Sequence, residues 1–167
     1  MIDSNDWHII CQNVTTIAKP FFSIPFPTTV KSAILSSLFE IEAAKYYQTK
    51  GYNVKNSTND TEPDLYFLDT NTSIEIKVTK KSKNIKFRGN KVSKRESQFI
   101  MIIWDESKPN LFDYENKLEF YVTTIYLTPD DWSNECQNYN ASFLDYNKIK
   151  NKVKDLVGNV MVLEEYK

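Results

Sequence analysis

Two carboxylates and an ammonium in the first half of the chain stand at a spacing that suits a divalent cation. The stretch is Glu62-Pro63-Asp64-Leu65-Tyr66-Phe67-Leu68, then the polar Asp69-Thr70-Asn71-Thr72, then Ser73-Ile74-Glu75-Ile76-Lys77-Val78. Two short apolar runs joined by a polar segment predict an antiparallel hairpin. Side chains alternate along a strand, so Ile74, Ile76 and Val78 share one face and Glu75 and Lys77 the other. With the turn at 69–72 and Leu68 opposite Ser73, the register runs 67 with 74, 66 with 75, 65 with 76 and 64 with 77. Asp64 then lies opposite Lys77 and diagonal to Glu75, within roughly 7–8 Å. Each residue has an ordinary reading: Asp64 as a turn residue after Pro63, Glu75 and Lys77 as a solvent-facing pair. Together, at one end of a hairpin whose other face is apolar, they describe a metal site.

Pro63-Asp64, ten intervening residues and Glu75-Ile76-Lys77 resemble the signature of the PD-(D/E)xK nuclease superfamily, which includes restriction endonucleases, repair nucleases and junction resolvases. These enzymes usually carry an acidic residue on a helix before the hairpin. Leu38-Phe39-Glu40-Ile41-Glu42-Ala43-Ala44-Lys45, running on to Gly51, fits that pattern. Glu40 stands eleven residues before Gly51, a spacing similar to that of junction resolvases, and Glu42 is the alternative acid. The resemblance covers residues 30–95. It implies an α/β (α+β) fold with a restriction-endonuclease-like core, a mixed β-sheet flanked by helices.

The resemblance also implies a Mg²⁺-dependent reaction. Mg²⁺ is usually held by one or two carboxylates, keeping several waters. Asp64 and Glu75 would supply the carboxylates, and Ile76 its backbone carbonyl, as in the family pattern. Glu40 would bind a second ion or fix a metal-bound water. Lys77 would orient or deprotonate the attacking water and stabilise charge on the phosphate. In-line attack would leave a 5′-phosphate and a 3′-hydroxyl.

Net charge is −1, but its distribution is uneven. Residues 76–95 hold Lys77, Lys80, Lys81, Lys83, Lys86, Arg88, Lys91, Lys94 and Arg95 with no acid, leaving 12 of the 21 cations against all 22 acids elsewhere. A polyanion crossing the hairpin would meet this segment first. The expectation is a basic loop over 80–95, with Lys80, Lys81, Lys83 and Lys86 on phosphates. Arg88, Asn90, Lys91, Lys94 and Arg95 are types suited to base edges. The ordinary alternative is a solvated lysine-rich loop.

The elements that must position these residues are legible in outline. Residues 4–18 carry Trp7, Ile10, Cys11, Val14 and Ile17 at helical spacing behind an Asp3/Ser4 cap. Pro20, Pro25 and Pro27 among Phe21, Phe22, Ile24 and Phe26 predict a non-helical apolar connector over 20–27. A second helix should start at a Thr28 or Thr29 cap, bury Val30, Ile34, Leu38 and Ile41, and end at Lys50-Gly51. Residues 52–55 read as a strand, the apolar run 98–104 as a central strand buried on both faces, and 118–127 as another strand. Thr128-Pro129-Asp130-Asp131 should start a helix, and 160–163 reads as a late strand.

At 167 residues and 41% hydrophobic, with ten Tyr and ten Phe, the chain has the means to bury one ordinary core. The reading is a single domain over 1–167, its catalytic core at about 30–105, with 106–167 completing the sheet and helices. No apolar run approaches the ~20 residues of a membrane span. Cys11 and Cys136 form no metal-ligand or disulfide pattern, which with the absence of a signal-peptide pattern points to reduced thiols in a cytoplasmic protein. His8 is the only histidine and has no triad pattern, and Trp7, Trp104 and Trp132 read as core anchors.

The functional expectation is a Type II restriction endonuclease cutting double-stranded DNA at a short sequence. With one site per chain, cutting both strands suggests a homodimer on a palindromic target. The connector 20–27 and the first helix are the candidate dimer surfaces. The alternatives are a Holliday-junction resolvase or structure-specific repair nuclease, and a non-catalytic DNA-binding protein.

Overall fold

A computed structural model describes residues 2–57, 62–90, 96–107, 117–132 and 141–157. Helix α1 spans Ser4–Phe22, and the Asp3 carboxylate caps it by accepting the Asn5 N–H at 2.7 Å. It runs four residues beyond the expected end, through Pro20 in its last turn. Phe22, buried and edge-on to Trp104 at 5.4 Å between ring centroids, gives that turn a packing anchor. Ala18 and Phe22 are the buried positions here, whereas Ile17, expected inside, is 37% exposed.

Helix α2 spans Thr28–Thr49. Pro27, not Thr28 or Thr29, is its cap residue, and no side chain caps it. Its buried stripe is Leu35, Phe39, Ala43 and Tyr47, one position round from the expected Val30, Ile34, Leu38 and Ile41. Val30 and Ile41 are exposed, Ile34 and Leu38 half-buried. The helix carries two neighbouring apolar stripes, and the one with the larger aromatic payload takes the sheet. Gly51, at φ +87°, closes the helix in the left-handed conformation that glycine adopts without strain.

Six strands form one sheet: β1 (Val54–Asn56), β2 (Leu65–Phe67), β3 (Thr72–Lys80), β5 (Ser97–Ser107), β6 (Lys117–Leu127) and β8 (Lys154–Val157), in the order β1-β2-β3-β5-β6-β8. Strands β3 and β5 are parallel and every other neighbouring pair in this sheet is antiparallel, so the sheet is mixed. Strands β4 (Lys86–Asn90) and β7 (Ala141–Asp145) pair separately as a two-stranded ribbon, and α3 (Tyr146–Ile149) follows β7. The molecule is thus α/β.

β5 is central, and Phe99 to Trp104 are buried without interruption because both faces are covered. Ile100, Ile102 and Trp104 join Ile74 and Ile76 under α1 and α2. Phe99, Met101 and Ile103 face the other way, against Phe87, Leu144, Tyr146 and Trp132 from the ribbon side. All three tryptophans are core residues.

Three expectations are corrected here, and a fourth falls outside the described residues. The strand expected at 52–55 is Val54–Asn56. The helix expected at Thr128 is a single 3₁₀ turn, Pro129–Asp131, with the Thr128/Asp131 capping box in place. The basic segment is not one loop: β3 continues to Lys80 and Lys86–Asn90 is a strand, because Ile85 and Phe87 are buried in the ribbon-side core. Residues 160–163 lie outside the described residues, and the late strand that is described is β8.

The hairpin register also differs. Leu65 pairs with Ile74, Tyr66 with Ser73 and Phe67 with Thr72, so the turn is 68–71 rather than 69–72. Asn71, at φ 51°, supplies the left-handed residue, a conformation Asn tolerates better than most. Continuing the ladder puts Asp64 level with Glu75 rather than Lys77. The shift is two residues, so each side chain keeps its face.

Candidate active site at the sheet edge

β2 begins at Leu65, so along β3 no strand among the described residues pairs with this edge beyond Ile74. Asp64 fills that gap: its Oδ2 accepts the Ile76 N–H at 2.7 Å. A carboxylate thus takes the place of the missing strand carbonyl. In an extended strand the N–H and C=O of one residue point to the same edge, so the Ile76 carbonyl is aimed to the Asp64 side as well.

Lys77 Nζ stands 3.2 Å from Glu75 Oε2 and 3.6 Å from Asp64 Oδ2. The three side chains are largely enclosed, 17% (Lys77), 7% (Glu75) and 20% (Asp64) exposed. Burial pulls the Lys77 ammonium down, but Asp64, Glu75 and Glu40 outweigh it and hold the group above its ordinary value. Lys77 is therefore a firmly held cation at neutral pH. Burial, together with Asp64, pushes Glu75 up from the ordinary carboxylate range against the pull of Lys77.

Glu40 reaches the same place from α2. Burial, then the charge of Asp64, pushes its carboxyl up to about 7, while Ser36 and Lys77 act in the opposite direction. Ser36, one helical turn earlier, donates to Glu40 Oε1 at 3.1 Å. Sequence reasoning missed Ser36, although a serine four residues before a helical acid places the two side chains together. Glu42, the alternative acid, is instead paired with Lys45 at 2.8 Å.

Two carboxyls therefore pair with one ammonium, and a third, Glu40, is close enough to feel their charge. When ionised they leave an excess of negative charge in a part-buried place, an arrangement that a divalent cation would relieve. Among the described residues no cluster of three or more His, Cys, Asp or Glu side chains is gathered to cage a metal ion. Two carboxylates and a carbonyl are nevertheless the donor set that Mg²⁺ uses, since it retains waters for its remaining positions. The chemistry of Asp64, Glu75 and the Ile76 carbonyl fits that ion.

The predicted DNA-contacting residues are scattered by comparison. Lys80 Nζ lies over the Trp104 ring, 5.3 Å from its centroid. Lys81 pairs with Asp105 Oδ2 at 3.6 Å. Asp105 was missed because the contact depends on the β3–β5 register, which local sequence does not reveal. Lys83, Lys86 and Arg88 are exposed, the last two on β4 alternating with buried Ile85 and Phe87. The Thr79 hydroxyl donates to the Lys86 carbonyl at 3.2 Å, tying β4 to the strand that carries Glu75 and Lys77. Asn90 closes β4, and Lys91, Lys94 and Arg95 lie outside the described residues.

Elsewhere, Cys11 is a free, buried cysteine whose thiol is pushed up to about 12 by burial, and Cys136 lies outside the described residues. His8 is exposed on α1. No helix among the described residues is long and apolar enough to cross a membrane. No protein-family model matches the chain, and no curated protein matches it in sequence.

Proposed function

We propose that the chain is a Mg²⁺-dependent endodeoxyribonuclease with a restriction-endonuclease-like core, of the Type II restriction kind, acting on double-stranded DNA as a homodimer. One observation carries this reading. Asp64 is fixed on the Ile76 N–H at the gap in the sheet, with Lys77 within 3.6 Å of it and 3.2 Å of Glu75. A surface ion pair gains nothing from such enclosure, since removing charges from water is costly. Groups that act on a charged substrate gain from it, because preorganised charges in a water-poor site are stronger.

Asp64, Glu75 and the Ile76 carbonyl would hold the ion. Held there, Mg²⁺ would supply Lewis-acid chemistry to a phosphate and its attacking water. Lys77 contributes the fixed positive charge that stabilises negative charge growing on the phosphate. Of the two roles considered from sequence, this electrostatic one is the one supported by its 3.2 and 3.6 Å ion pairs. Glu40, pushed up to about 7 by burial and Asp64, would bind a second ion or fix a metal-bound water. Lys83, Lys86 and Arg88 supply exposed positive charge beside the same strand, suited to phosphate contacts.

The test is digestion of phage and plasmid DNA in Mg²⁺, with the released ends sequenced, beside a synthetic four-way junction. Discrete fragments with 5′-phosphate ends are expected. Junction cleavage with intact plasmid would instead support a resolvase, the reading favoured by Glu40 standing eleven residues before Gly51. Unchanged DNA after prolonged incubation, with the protein retained on DNA, would leave the non-catalytic binding protein.

A further inference from the structure

We propose that Lys77 competes with the divalent cation for Asp64 and Glu75, so that binding the ion displaces the ammonium and frees it for the substrate phosphate. The proposal rests on the Mg²⁺ reading given above and adds how the charges of that site are exchanged. The ammonium is seated on the very carboxylates assigned to the ion, 3.2 Å from Glu75 Oε2 and 3.6 Å from Asp64 Oδ2. All three side chains are largely enclosed, so water screens little of this attraction. An ion held by the same two residues would meet a positive charge already there.

The ordinary role for such a lysine is to hold two carboxylates together, in which case its removal would splay them and weaken the ion site. Neither carboxylate needs that help. Asp64 is anchored independently, since its Oδ2 accepts the Ile76 N–H at 2.7 Å. Glu75 stands inside β3, which pairs with β5 from Ile74 to Lys80, and the pleat of a paired strand fixes the face from which its side chain leaves. What Lys77 adds between them is charge, and that charge opposes a second cation.

The side chain suits the exchange. A lysine head is a compact charge with three rotatable donors on a flexible stem, whereas a guanidinium is locked to a planar fork. Phosphate oxygens can accept those donors once the ion has taken the carboxylates. Ion and duplex would therefore each relieve Lys77 of a conflict that the other creates, and each should strengthen the binding of the other.

The test is titration calorimetry with Mg²⁺ on the full chain in the absence of DNA. Lys77→Met, which keeps the stem and removes the charge, should bind Mg²⁺ at least ~10-fold more tightly than the parent. Lys77→Arg, which keeps the charge, should stay within about threefold of the parent. Lys81→Met is the control for charge at a distance: four residues on, it lies about 13 Å further along extended chain, beyond the ~8 Å screening length. It is already engaged by Asp105 and should change the affinity by less than about twofold. Thermal melts guard against loss of folding, and Lys77→Met should melt below the parent in EDTA and gain more from excess Mg²⁺ than the parent does. Mg²⁺ affinity in Lys77→Met equal to or below that of the parent would overturn the proposal and leave the Mg²⁺ site standing. No Mg²⁺ binding by either protein would overturn both. DNA cleavage does not enter the test, so a failure to cut would count against the nuclease reading alone.

Discussion

The hairpin edge and the basic segment are adjacent along the chain, yet they turned out in opposite ways. At the hairpin, Asp64 comes within 2.7–3.6 Å of residues twelve and thirteen positions later, Ile76 and Lys77. In the basic segment, the described cations after Lys77 disperse: Lys80 lies over a tryptophan, Lys81 enters an ion pair, and Lys86 and Arg88 stand on the outer side of a strand. Closeness along the sequence produced a site only where the alternation of one hairpin set the geometry. Where the partner lay far away, as β7 does for β4, it did not.

The sharpest way to break this contrast is Lys77→Ala. Cleavage in Mg²⁺ should fall by roughly 10³-fold, on the scale of losing a preorganised electrostatic group. Retention on DNA in a filter-binding assay should persist, and undiminished cleavage by the purified variant would remove Lys77 from the mechanism. Asp64→Asn should come next. Its amide still reaches the Ile76 N–H but has lost the charge, so the variant should lose most Mg²⁺ binding by calorimetry while its melting temperature changes little. Normal Mg²⁺ affinity would rule out Asp64 as a ligand.

On the basic side, Lys86→Glu with Arg88→Glu should weaken duplex binding by about 10–100-fold. It should also flatten the slope of log K against log salt by up to about 2, one unit for each phosphate no longer neutralised. An unchanged slope would show that β4 does not touch the backbone. Lys81→Ala, already engaged by Asp105, should change affinity by no more than about twofold.

A further test concerns pH. The folded protein holds Glu40 at about 7, above the ordinary carboxylate value, so it binds a proton that the unfolded chain has released. Its favourable contribution is complete below about 4.5 and is lost as pH rises through about 7. Partial exposure screens the effect, leaving on the order of 1–2 kcal/mol. In EDTA, Glu40→Gln should therefore melt higher than the parent at about pH 8 and much like it at about pH 5. Equal melting at both values would contradict the raised pKa. Mg²⁺ should narrow the gap on the alkaline side.

What was legible in the sequence follows the same division. The central strand, the two long helices and the face assignment of Glu75 and Lys77 depend on local periodicity and were readable. The hairpin register was wrong by two residues because either Leu68 or Thr72 can lie inside the turn, and only Asn71 in the left-handed region decides. The α2 stripe was misplaced because Val30-Ile34-Leu38-Ile41 and Leu35-Phe39-Ala43-Tyr47 satisfy helical spacing equally, and only the packed sheet chooses between them. The β4–β7 ribbon was invisible because its strands lie some fifty residues apart and each is only five residues long.

That ribbon has a consequence for how the molecule is made. Every member of the acid cluster, and every strand paired with β3, has been synthesised before Ala141, but β4 has no partner until then. The residues of the carboxyl-lined edge are thus complete in a nascent chain before the cationic strand can be paired. The same late segment closes the circle, since β8 packs on α1 and Ser4 donates to the Leu156 carbonyl. Truncation through β7 would accordingly remove the partner of the cationic strand while leaving every acid of the edge in the chain.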